Sequence, residues 1–191
     1  LLPNPEVLGL LALMLFNESR RYARANQSGD IILLPDQDRS LWNQELIKEG
    51  INLVARASAK GSPGPYLLQA AISGVHASAP NSEATDWQQI IALYDRLLIL
   101  APSPVIQLNR GVAVAMKEGP AAGLEIVDAL LAKGALTEYA LAHSTRAEFC
   151  RRLNKFPEAK SSFNTALQLA TLEPERRFLK QKLAELEENK T

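Results

Sequence analysis

The sequence predicts an all-α fold built from stacked helical hairpins, and three observations carry this. Apolar residues recur at helical spacing along most of the chain. Glycine and proline pairs such as Gly61-Ser62-Pro63-Gly64-Pro65 and Gly119-Pro120 punctuate the runs. Finally, Trp87, Ile90, Tyr94 and Leu97 are matched by Ala121, Leu124, Asp128 and Leu131, and again by Phe156, Ala159, Phe163 and Ala166. These copies stand about 34 residues apart, the period of the tetratricopeptide repeat, in which each helix pair buries its apolar face only against its neighbours. The expected architecture is a tetratricopeptide-like right-handed superhelix of about four helix pairs plus a C-terminal capping helix, forming one domain over 1–191.

The first pair is expected over 1–59. From Pro5 to Arg24, Leu8, Leu11, Leu15 and Tyr22 keep helical spacing, and Leu8-Gly9 fits the Leu-Gly pair of a repeat's first helix. An insertion at 25–39 breaks the pattern with a loop at Asn26, Ser28 and Gly29, then the β-branched and leucine run Ile31 to Leu34, closed by Pro35 and expected to be extended. Ser40 is placed to cap a second helix reaching Ala59. The second pair spans 65–100, with Thr85 and Gln88 at the spacing of a capping box before the Trp87 helix. Ser103-Pro104 opens the third pair, over 104–132, with proline at a first helical position where a missing amide costs nothing. The fourth pair, over 137–170, turns at Asn154-Lys155. A solvated capping helix follows at 174–188, with Phe178, Leu179, Leu183 and Leu186 on one side, and the chain is expected to fray from Leu186 onward.

With 21 basic and 21 acidic residues the net charge is zero, so no general field draws in nucleic acid, and direct DNA binding is not expected. The longest apolar run, Val7 to Phe16, is shorter than the roughly 20 residues a membrane span needs. A lone cysteine and no secretory leader read as cytoplasmic. The opening on Leu1, directly before a helical pattern, reads as a fragment of a longer chain.

Catalytic spacing is nearly absent. No phosphate-cradling glycine motif and no metal-type His and Cys cluster occurs, so neither a cofactor nor a metal is expected. His76 and His143 stand alone on their helices and read as structural histidines bonded to neighbouring carbonyls. Cys150 beside Arg151 and Arg152 has two readings, core filler or a thiol of lowered pKa. Asp36-Gln37-Asp38-Arg39 also has two: a helix-entry loop, or a ligand or partner site carried by an irregular insertion. In the assigned register the concave face takes Leu10, Leu13, Leu68 and Val75 in its apolar half and Asn109, Lys117, Ser144, Glu148, Arg151 and Arg152 in its polar half. Apolar surface of that extent implies a cover, either the Ile31 to Leu34 segment or an adjoining domain.

Several blocks together resemble one family. They are Glu6 to Met14, Leu34 to Trp42, Gly64 to Ile72, Thr85-Asp86-Trp87, Leu93 to Leu97, Pro102 to Val105, Leu108-Asn109-Arg110 and Gly119 to Leu124. Their order and content resemble the extracytoplasmic-function (ECF) sigma factors that carry a C-terminal tetratricopeptide-like extension. The resemblance implies a non-enzymatic role in bacterial transcription initiation, with N-terminal sigma regions absent from this fragment. The expected partners are those sigma regions, RNA polymerase, or both. Two other readings stay open: a free-standing peptide-binding adaptor, and an enzyme or small-molecule sensor using Asp36, Asp38 and Arg39.

Overall fold

The computed structural model describes residues 4–188, and among these every regular element is helical. Nine α-helices follow one another: α1 (Pro5–Ser19), α2 (Gln44–Ser58), α3 (Pro65–Ser78), α4 (Trp87–Leu100), α5 (Pro104–Glu118), α6 (Pro120–Ala132), α7 (Ala140–Arg152), α8 (Phe156–Leu169) and α9 (Glu173–Glu188). Short 3-10 turns lie at Arg21–Ala23, Leu34–Asp36 and Arg39–Leu41. Six of the nine carry proline in the first turn, at Pro5, Pro65, Pro104, Pro120, Pro157 and Pro174, where the ring's fixed φ suits the helix and the absent N–H is not missed.

Several local expectations change. α1 stops at Ser19 instead of continuing to Arg24, because Ser19 turns its hydroxyl back to the Phe16 carbonyl at 2.8 Å and its own carbonyl accepts from the Asn43 N–H at 2.9 Å. Ser40 is not the cap of α2. It lies in the 3-10 turn, and Asn43 caps the helix by accepting from the Leu46 N–H at 3.1 Å. At α4 the cap is Asp86, which accepts from Gln89, while Thr85 is buried and bonds back to the Asn81 carbonyl, so no capping box forms. The expected extended run at Ile31 to Leu34 holds in part: Ile31 makes an isolated bridge, the Ile32 N–H reaches the Arg24 carbonyl at 2.9 Å and Leu33 is extended, but Leu34 enters a 3-10 turn and no regular strand forms. Leu186 is buried at the end of an intact α9 and does not fray; residues 189–191, also expected to fray, lie outside the described residues.

The chain divides into two compact units where the sequence suggested one domain over 1–191. Unit 1 runs from the first described residue to Asn26 and from Ile32 to Ser103. Within it α1 packs on α2 and α3, and α3 also meets α2 and α4. The starts of α1 and α3 are tied together by Glu6, whose carboxylate accepts from the N–H groups of Tyr66 and Leu67 at 2.9 and 3.1 Å, satisfying amides that a helix start leaves open. Leu8, Ala12, Phe16, Ala23, Trp42, Ile47, Leu53, Ala57, Leu67 and Ala70 form the core. The Phe16 ring takes the space left by Gly50, where a Cβ would come within 2.8 Å of it.

Unit 2 comprises Gln27–Ile31 and the chain from Pro104 to the last described residue. Each of its helices packs on the next, α5 to α9, and α5 also touches α7. Leu108, Leu124, Val127, Phe149, Cys150, Phe163 and Leu179 lie in its core. Asn154 adopts φ 59 at the α7–α8 turn, as its tolerance of the left-handed region allows. Arg177 of α9 holds the 27–31 segment: its Nε donates to Asp30 at 2.7 Å, and Nη2 reaches the carbonyls of Ser28 and Gly29.

The repeated positions keep their burial unevenly. Ile90, Leu124 and Ala159 are all buried, whereas at the preceding repeat position Trp87 and Phe156 are half-buried and Ala121 is exposed. No helix among the described residues is long and apolar enough to cross a membrane.

Candidate functional site

Unit 1 carries an open groove of about 420 Å³. Ile51 and Val54 of α2 form one wall, Gln89 and Leu93 of α4 the other, and Ala71, Gly74, Val75 and Ser78 of α3 line it between them, with Phe16 beneath. The small residues of α3 make the trough: Ala71 and Gly74 project too little to fill the space between α2 and α4. Ala79, Pro80, Ala84 and Asp86 line the far end, where α3 passes to α4. Ile51 remains 40% exposed, so the wall offers apolar surface to a partner.

The Asp36-Gln37-Asp38-Arg39 block divides into two roles. Asp36 and Asp38 point outward. Asp38 accepts from the Ser40 N–H at 2.9 Å, and hydrogen bonding from Ser40 holds its carboxyl below the ordinary range. Gln37 is buried and donates to the Ile32 carbonyl at 3.1 Å. Arg39 closes the end of α3: its Nη1 donates to the carbonyls of His76 at 2.8 Å and Ala79 at 2.7 Å, and its guanidinium lies over the Trp42 ring, 4.4 Å from the centroid. Arg20 approaches the same ring at 5.7 Å. His76 meets Trp87 edge to face at 5.2 Å. Burial first, then the charges of Arg20 and Arg39, lower the His76 pKa to about 4, so the ring is neutral at pH 7.

The other expected contact residues are scattered. Leu10 is exposed on α1, Leu13 packs partly against the unit 1 core, and Val75 lines the groove. Leu68, read as concave surface, is instead core, at 2% exposure. The expected cover over the apolar half is not formed by the Ile31 to Leu34 run: Leu33 is exposed, Leu34 alone joins the unit 1 core, and neither lines the groove beside Val75. In unit 2, Asn109 is half-buried on α5 and Lys117 exposed at its end. Arg151 forms a bidentate pair with Glu148 at 2.7 and 2.8 Å, and Arg152 reaches the Met116 sulfur at 3.9 Å.

Cys150 is fully buried, and burial pushes its thiol up, which corrects the reading of a lowered pKa; the nearby Arg146 and Lys155 charges pull the other way but act more weakly. His143 has the expected carbonyl partner, Thr137, at 2.8 Å. Among the described residues no group of three or more His, Cys, Asp or Glu is placed to hold a metal.

Sequence reasoning missed Arg20, Trp42 and the groove walls. Arg20 and Trp42 look ordinary along the chain, and only the meeting of the α1 end with the 39–42 turn gives them a shared role.

The chain is similar to known proteins in two comparisons. Residues 1–58 match a family described as a family of unknown function (DUF6596). An uncharacterized protein of Rhizobium meliloti (strain 1021) is 41% identical over 182 residues, covering 95% of this chain and 43% of the relative. The chain therefore spans less than half the length of that relative. No solved structure matches it.

Proposed function

We propose that this chain is a regulatory protein-interaction domain of an ECF sigma factor, acting in transcription initiation by packing against the sigma regions or RNA polymerase. The observation that carries the docking reading is the unit 1 groove, an apolar trough open along one side with an exposed isoleucine on its wall. Such a trough suits the apolar face of a partner helix. The order of blocks in the sequence supports the sigma-factor assignment, and the consecutive packing of α5 to α9 supports a tetratricopeptide-like arrangement in unit 2.

Binding between the chain and separately produced sigma regions or polymerase, followed by calorimetry, tests the reading. Ile51→Asp should weaken association about tenfold or more while costing only about 1 kcal/mol of folding stability, since the side chain is 40% exposed. No association with either partner, together with unchanged transcription when the extension is deleted from a full-length sigma factor, would remove the proposal. The alternative, a peptide-binding adaptor, rests on the half-buried Asn109 of α5. It predicts affinity for an unrelated extended peptide that Asn109→Ala abolishes.

A further inference from the structure

We propose that Arg20 and Arg39, gathered at the Trp42 indole, form a binding site for an oxyanion, a phosphate or a carboxylate. The inference is independent of the docking reading.

The two guanidiniums approach one ring, at 5.7 and 4.4 Å from its centroid. Arg39 is fixed in place because one nitrogen, Nη1, serves the carbonyls of His76 and Ala79. Its Nε and Nη2 have no acceptor among the described residues, and these form one edge of the guanidinium fork that grips oxyanions.

Arg20 differs from the arginines around it. Arg21 is paired with Glu18, and Arg24 donates to the Asn17 carbonyl and side-chain oxygen. The Arg20 side chain has neither a carboxylate nor a carbonyl partner among the described residues, only the ring. It is nonetheless half-buried, and burial, then the charges of Arg24 and Arg39, disfavour its charged form; no carboxylate offsets them. A partly desolvated cation beside other cations is costly unless a counter-charge joins it. The Trp42 Nε1–H is buried and without a partner as well. His76 adds no charge at neutral pH. The cluster therefore has donors and positive charge in excess and lacks an acceptor, which is the deficit an oxyanion fills.

The chain contains two tryptophans, so the indole N–H resonances of Trp42 and Trp87 can be followed separately in a ¹⁵N-labelled sample. One titration uses inorganic phosphate and a second a tetraglutamate peptide, both at ionic strength held constant with sodium chloride, which keeps general screening fixed. The expected result is a saturable shift of Trp42, weakened about tenfold or more by Arg20→Gln and severalfold by Arg20→Lys, which keeps the charge but loses the fork. Arg20 is the residue to change because Arg39 also closes α3. Should Arg20→Gln fail to fold, Arg20→Lys alone decides. Response to phosphate assigns the site to small phosphates, and response to the peptide alone assigns it to carboxylates of an acidic segment. No saturable shift of Trp42 with either probe, or equal affinity in the Arg20 variants, overturns the proposal.

Discussion

Arg146 Nε stands 2.6 Å from the Asp128 carboxylate, and its Nη1 stands 2.7 Å from the Ser162 hydroxyl, so one guanidinium spans α6, α7 and α8. Asp128 is nearly half exposed, and solvent screens its share of the pair, but Ser162 is buried and depends on Arg146 for a partner. Arg146→Met should lower stability in urea denaturation by about 1–2 kcal/mol, and Asp128→Asn by less than about 1 kcal/mol. Equal effects would mean that the exposed ion pair, not the buried hydroxyl, dominates.

Gly9 is where α1 comes closest to α3. A Cβ there would lie 2.6 Å from the Leu67 backbone nitrogen and 2.7 Å from its Cα, neither of which can move without shifting the helix. Gly9→Ala should therefore cost about 1–3 kcal/mol, against the gain an alanine brings to an open helical site. Thermal melting checks this, and a neutral or raised Tm would show that the two helices can part at little cost.

His76 predicts an acid sensitivity. Its folded-state pKa of about 4 lies below the ordinary 6.5, so the unfolded chain holds the proton more tightly, and stability present above pH 6.5 is lost as pH falls toward 4. Between pH 7.5 and 4.5 this residue should account for a loss of about 2.5 kcal/mol. Denaturation of the native protein and His76→Gln at both pH values measures it: the variant should show a correspondingly flatter dependence.

Cys150 should resist thiol reagents. It is fully buried and its thiol is pushed up by burial, so labelling of the native protein at pH 8 should follow the rate of unfolding, not the reagent concentration. Rapid labelling without denaturant would show that α7 and α8 open locally.

Most helices were legible because their signals are local. Pro104, Pro120 and the Asn154 turn mark boundaries through backbone geometry that needs no distant partner. The misread features all depend on contacts made elsewhere in the chain. Ser40 lost the cap of α2 to Asn43, whose N–H is anchored on Ser19, and α1 stopped early at that same anchor. The part Arg39 plays in closing α3 was also hidden, because its carbonyl partners lie 37 and 40 positions away, a separation no periodicity reveals. The groove escaped notice because it is made of what α3 lacks, side-chain volume at Ala71 and Gly74.

The grip of Arg177 on Asp30 means that the second unit cannot be excised with a single cut. A shortened protein starting at Pro104 would leave behind a strip of its own fabric, residues 27–31, and strand a half-covered guanidinium on α9. To be studied in isolation, this half would need that strip grafted back, or a neutral residue in place of Arg177.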